Sequence, residues 1–161
     1  MTESMTPTDS DVALSDDDRA VLDARIRDAR ADAEAIAAET GIAADRVEAK
    51  LERFEDAGVI DGYTARLDYG ALGYDVTALF RVSVADESAL DRLRDQPRVV
   101  ALYAVTGGDD AVAVGKFEDT DALNAVATEL LTDDAVRSLT VTVVRDVLRE
   151  FEPTVPDDGS S

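Results

Sequence analysis

The chain has no cysteine and no histidine, and of its 16 basic residues only Lys50 and Lys116 are lysines. Without cysteine there are no disulfides, no thiolate metal sites and no thiol nucleophile. Without histidine there is no imidazole ligand, no Ser-His-Asp relay and no histidine general base, so most hydrolase chemistry is excluded. Long apolar runs are also missing. None approaches the roughly 18 residues that a membrane span requires. The opening "MTESMTPTDSDVA" lacks the basic and apolar regions of a signal peptide, so a cytoplasmic protein is expected.

Charge of one sign is in excess. Thirty-six Asp and Glu stand against 16 Lys and Arg, a formal net charge of −20. Hydrophobic residues still make up 45% of the chain, a normal globular level, so the excess marks an acidic surface and not an unfolded polyanion. Such a composition, with Asp outnumbering Glu, suits a halophilic protein working in molar salt. There the Debye length falls to about 3 Å and self-repulsion is largely screened. The acidity therefore weighs less against a nucleic-acid partner than it would in dilute buffer.

At 161 residues the chain has room for two small domains. Polar, aperiodic segments at 1–13 and 153–161 read as disordered tails. From Leu14 to about Ile60 the apolar spacing is helical. Ser15 is a candidate N-cap, followed by Asp16, Asp17 and Asp18 in a first turn where carboxylates oppose the helix dipole. That helix should run to about Arg27 and bury Leu14, Asp18, Val21, Leu22 and Ile26. Asp32 can cap a second helix ending before Gly41. A third starts near Ala43, turns Val47, Leu51 and Phe54 inward, and stops at Gly58. Two short helices joined by a Gly-containing turn form a helix-turn-helix pattern. The stretch "VIDGYTARLD" then reads as a short hairpin or wing, closing a unit over 14–66, and 67–75 reads as a linker.

From Val76 the pattern becomes β-rich. Strand, helix, strand, "GGDD" turn, strand, helix and a last strand reaching Phe151 give the βαββαβ order of a ferredoxin-like domain over 76–152. Two helices cover one face of a four-stranded sheet. The other face, expected to be apolar, predicts a homodimer or larger homo-oligomer.

With these elements in place, "LSDDDRAVL", "AIAAETGI", "VEAKLERFEDAGVIDGYTARLD", Ala71–Gly73 and "VTGGDDAVAV" together resemble the Lrp/AsnC, or feast/famine, regulators. The resemblance runs from Leu14 to about Phe151. It implies an α+β chain: an N-terminal winged helix-turn-helix that binds double-stranded DNA, then a ferredoxin-like domain for ligand sensing and oligomerisation. No enzyme activity, metal or cofactor is implied. The third helix matches the family's recognition helix, which makes Ala43, Ala44, Asp45, Arg46, Ala49, Lys50 and Arg53 the candidate DNA-binding residues. At about 100° per residue, Arg46, Lys50 and Arg53 share one flank beside the apolar stripe. Arg46 is suited to a base edge or a phosphate, and Lys50 and Arg53 to phosphates. Between Ala43 and Arg66, four basic residues face six acidic ones, so the segment is nearly neutral.

The resemblance also points to Thr106, Gly107, Gly108, Asp109 and Asp110 as part of an amino-acid effector pocket. Gly107 and Asp110 match a Gly-x-x-Asp turn, and Asp109 stands where an aromatic residue is common. Two carboxylates there favour a cationic effector such as lysine or arginine over leucine. A bland alternative is a tight Gly-Gly turn with solvated acids. Paired carboxylates such as Asp133 and Asp134 follow from composition and suggest no catalysis. A second functional reading stays open: a metabolite-sensing assembly protein that has lost DNA binding and acts through protein partners.

Overall fold

The computed structural model describes residues 13–157. Most of the segments expected as tails, 1–12 and 158–161, lie outside the described residues. Within them the chain forms two compact units, one running to Arg66 and including the residues from Phe151, the other spanning Leu67–Glu150.

The first unit contains three helices, α1 (Asp16–Arg27), α2 (Ala33–Thr40) and α3 (Ala44–Asp56). The start of α1 is a reciprocal capping box: Asp18 N–H donates to Ser15 Oγ at 3.1 Å, and Ser15 N–H donates to Asp18 Oδ2 at 3.0 Å. Asp32 caps α2 by accepting the Ala35 N–H, and α2 ends at Gly41, whose φ of 75° suits a residue without Cβ. Gly58, at φ 74°, terminates α3 in the same way, and the Ile60 N–H returns to the Phe54 carbonyl. Val21, Leu22, Ala24, Ile36, Ile42, Val47, Leu51 and Phe54 form the core. Ile26, expected inside, is 37% exposed; the small Ala24 occupies the inward position of that turn.

Two local expectations for this unit need correction. No strand forms in 59–68, so the wing is not a hairpin within one chain. Tyr63 and Leu67 are about half exposed there, and a lone two-stranded ribbon with so little to bury is marginal in water. Secondly, the C-terminal segment is not all tail: Val155 packs against the three-helix core and Arg19 Nη1 donates to the Pro156 carbonyl at 3.0 Å.

The second unit contains β1 (Val76–Val84), α4 (Ser88–Asp95), β2 (Val99–Ala104), β3 (Ala111–Phe117), α5 (Thr120–Leu131) and β4 (Val136–Val143). The strands form one antiparallel sheet in the order β2-β3-β1-β4, the ferredoxin-like topology. Ala78, Phe80 and Val82 of β1 point under the helices and pack with Leu93, Phe117, Leu123 and Val126. Phe80 and Phe117 meet edge to face at 5.8 Å. Gly115 pairs with Ala78, and a Cβ there would lie 2.6 Å from Phe117 Cε2.

On the opposite face, register aligns Leu79 with Val114 and Ala101, and Arg81 with Val112 and Tyr103. Tyr103 is 59% exposed and the aliphatic residues are half buried. On this face β1 also carries Thr77 and Arg81, β3 Lys116, and β4 Thr140 and Thr142, so the open face expected to be apolar is so only in a patch of Leu79, Ala101, Val112 and Val114. β4 also ends at Val143, eight residues before the expected Phe151. Among the described residues its one neighbouring strand is β1; their ladder ends at Ala78↔Val143, with one further bond from Val144 N–H to the Thr77 carbonyl.

Candidate DNA interface and effector turn

Around α3, the stripe Val47, Leu51 and Phe54 faces the core. At about 100° per residue the opposite side carries Asp45, Ala49, Glu52 and Asp56, all exposed. The most outward ridge of α3 is therefore acidic, and its basic residues lie to one side. Those three cations all reach α1. Arg46 Nη2 lies 3.3 Å from Asp17 Oδ2, Lys50 Nζ 2.6 Å from Asp18 Oδ1, and Arg53 Nη2 2.7 Å from the same Asp18 oxygen.

Their exposures separate their roles. The Lys50 side chain is only 14% exposed and Asp18 only 4%, whereas Arg53 is 49% and Arg46 60% exposed. Lys50 was expected at a phosphate; instead its ammonium is used inside the unit as the counter-charge of a buried carboxylate. Burial alone would raise the Asp18 carboxyl, but Lys50, Ser15 and Arg53 together hold it well below the usual carboxylate range. Arg53 is half exposed, with its Cζ 5.2 Å from the Phe54 ring. Ala43 opens α3 without a side-chain cap, and in the first turn the Arg46 N–H donates to Asp45 Oδ1 at 2.9 Å. Ala43, Asp45 and Ala49 are exposed and Ala44 is half buried.

The turn between β2 and β3 is closed by Asp110. Val105 N–H donates to the Asp110 carbonyl, Asp110 N–H to the Val82 carbonyl, and Val84 N–H to Asp110 Oδ2 at 2.8 Å. Ser83 Oγ adds a bond to the Gly108 carbonyl at 3.1 Å. Gly107 has φ 119°, a conformation that disfavours any side chain. Thr106, Gly107 and Gly108 are exposed, while Asp109 is half buried and its carboxylate makes no hydrogen bond or ion pair among the described residues. Asp110 is thus engaged with backbone, whereas the Asp109 carboxylate has no partner among the described residues. Two surface cavities lie elsewhere, one beside Lys116 and Tyr69 and one between Arg92 and Asp133; no residue of the turn lines either.

Sequence reasoning missed two charged clusters. Asp18 was read as a first-turn carboxylate and as part of the buried stripe, although an acid placed inward calls for a cation. Lys116 is 5% exposed, donates to Thr77 Oγ1 at 3.0 Å and Glu150 Oε2 at 2.7 Å, and lies 5.4 Å from the Tyr69 ring. Its signal was a lysine on a strand otherwise made of small and apolar residues. Among the described residues no cluster of His, Cys, Asp and Glu could hold a metal, and no helix is long and apolar enough to cross a membrane.

A three-helix unit with a helix-turn-helix, followed by a ferredoxin-like sheet, defines a class of two-part regulators. Residues 77–153 match the Lrp/AsnC ligand binding domain. The HTH-type transcriptional regulator AldR of Mycolicibacterium smegmatis is 30% identical over 147 residues, covering 87% of this chain and 86% of AldR. The feast or famine regulatory protein Rv3291c of M. tuberculosis, solved in complex with L-methionine, superposes with a TM-score of 0.78 at 26% identity, covering 89% of this chain and 100% of that one. E. coli AsnC superposes at 0.77 with 24% identity, covering 88% and 99%, which supports the fold. The chain belongs to the Lrp/AsnC family of HTH-type transcriptional regulators.

Proposed function

We propose that this chain is a sequence-specific DNA-binding transcriptional regulator, acting in the cytoplasm as a homo-oligomer, whose second unit senses an amino-acid effector. The observation that carries the reading is the exposed Arg46–Arg53 flank on a complete recognition helix, followed by a domain of the ligand-binding kind. Arg46 and Arg53 make the phosphate contacts, and the small Ala43, Ala44 and Ala49 let the helix approach the groove, with Asp45 in its first turn. With two cations per helix available, few counterions are released on binding, so affinity falls only shallowly as salt rises. In the second unit Thr106–Asp110 lines the effector site: Asp110 holds the loop, and Asp109 selects a ligand with a cationic side chain.

The acidic ridge of Asp45, Glu52 and Asp56 favours a second reading, an assembly protein that acts through protein partners. A genome-wide map of bound sites at molar salt separates the two. Discrete sites that vanish in the Arg46→Ala, Arg53→Ala double variant support the regulator. A folded chain with no enriched site leaves the assembly reading.

A further inference from the structure

We propose that Asp18, on the first helix, is a positioning residue for DNA binding: it holds the Arg53 guanidinium in place on the flank of the recognition helix. This rests on the regulator reading above. The Asp18 carboxylate divides its two oxygens, with Oδ2 accepting the Ser15 N–H at 3.0 Å and Oδ1 facing both Lys50 at 2.6 Å and Arg53 at 2.7 Å. One buried anion thus faces two cations. Lys50, 14% exposed, neutralises it from inside, and the surplus positive charge resides on Arg53, which is 49% exposed.

The restraint on Arg53 is two-sided. Asp18 takes one of its amine groups while the Phe54 ring lies 5.2 Å from its Cζ, so a long side chain is kept close to one arrangement before DNA arrives. A guanidinium has five N–H donors, and those not used by Asp18 remain for a phosphate. Fixing the side chain in advance removes an ordering cost from the binding step. Arg46 differs. Its partner Asp17 is 49% exposed and 3.3 Å away, a contact that molar salt screens. Asp18 also belongs to the α1 capping box, so the residue that starts the first helix sets the position of a cation on the third.

The test is a double-mutant cycle on the full chain, with a DNA duplex taken from the genome map, in molar salt. In the Arg53 background, Asp18→Asn is expected to weaken DNA binding about tenfold; in the Arg53→Ala background, the same change is expected to alter it by less than about twofold. A purely structural Asp18 would weaken binding equally in both backgrounds, and that additive result overturns the proposal, as does an unchanged affinity in the first. Should Asp18→Asn alone not fold, Asp18→Asn with Lys50→Met removes the buried charges as a pair and takes its place in both arms with the same expectation. If Lys50→Met alone lowers affinity as much as Arg53→Ala does, Lys50 and not Arg53 is the residue through which Asp18 acts, and the assignment falls. A wild-type chain that binds no DNA refutes the regulator reading itself, whereas a DNA-binding chain with an additive cycle refutes only the role of Asp18.

Discussion

Asp110 accepts the Val84 N–H at 2.8 Å, standing in for the ladder partner that β1 would otherwise lose where β3 begins. The register of β1 against β4 also shifts between Ser83 and Val84, so this end of the strand depends on the turn that packs against it. The turn singled out as an effector element is therefore also a structural element, and its two acids should respond differently to substitution.

Asp110→Ala should lower the stability of the second unit by about 1–2 kcal/mol, the cost of leaving a backbone N–H without its partner, and weaken any effector with it. Asp109→Ala should change stability by less than about 0.5 kcal/mol but remove the preference for lysine or arginine. Thermal melts and calorimetric titration with the amino acids measure both. A cationic preference that survives Asp109→Ala would place selectivity elsewhere.

Assembly through the open sheet face should depend on the Leu79, Val112 and Val114 stripe. Leu79→Lys puts a charge opposite Val114, and burying an ammonium unpaired costs several kcal/mol, so the dimer dissociation constant should rise at least about tenfold. Sedimentation equilibrium in molar salt reads the change. An oligomer unaffected by Leu79→Lys would show that the subunits meet through another surface.

Gly115 is required by close packing. A methyl group there would lie 2.6 Å and 2.8 Å from two ring atoms of the fully buried Phe117, which is also held by Phe80. Gly115→Ala should therefore destabilise the second unit by about 1–3 kcal/mol. Chemical denaturation followed by circular dichroism checks it, and restored stability in Gly115→Ala with Phe117→Leu would identify the ring as the cause.

Acid should act on the first unit through Asp18. Its folded carboxyl lies below the ordinary value of 3.8, so ionised Asp18 contributes stability above that value, and the contribution is lost as pH falls below it. At pH 6 to 7, Asp18→Asn should cost about 3 kcal/mol, because two cations lose their buried partner. Between pH 5 and 3 the gap between wild type and variant should narrow, as seen in paired melts at fixed salt. A gap that widens toward acid would contradict the sign of the shift.

Local chemistry made much of this molecule legible. Ser15, Asp32, Gly41 and Gly58 mark helix ends because capping and left-handed backbone are satisfied within a few residues. The spacing of Val47, Leu51 and Phe54 assigns the inner face of α3 without outside help. The alternation in β1 and the order of the later elements were enough for the ferredoxin-like topology, and "GVIDGY" with the "TGGDD" turn for the family. Tertiary structure decided what depends on distant partners. Lys50 and Arg53 look alike on a helical wheel, and only Asp18, more than thirty residues earlier, draws one inward and leaves the other half exposed. That Asp110 also closes the end of β1 shows only once the Val84 N–H is brought to it. β4 ends at Val143 opposite Ala78, although the apolar pattern runs on to Phe151, and 59–68 forms no hairpin because so short a ribbon has little apolar surface to bury.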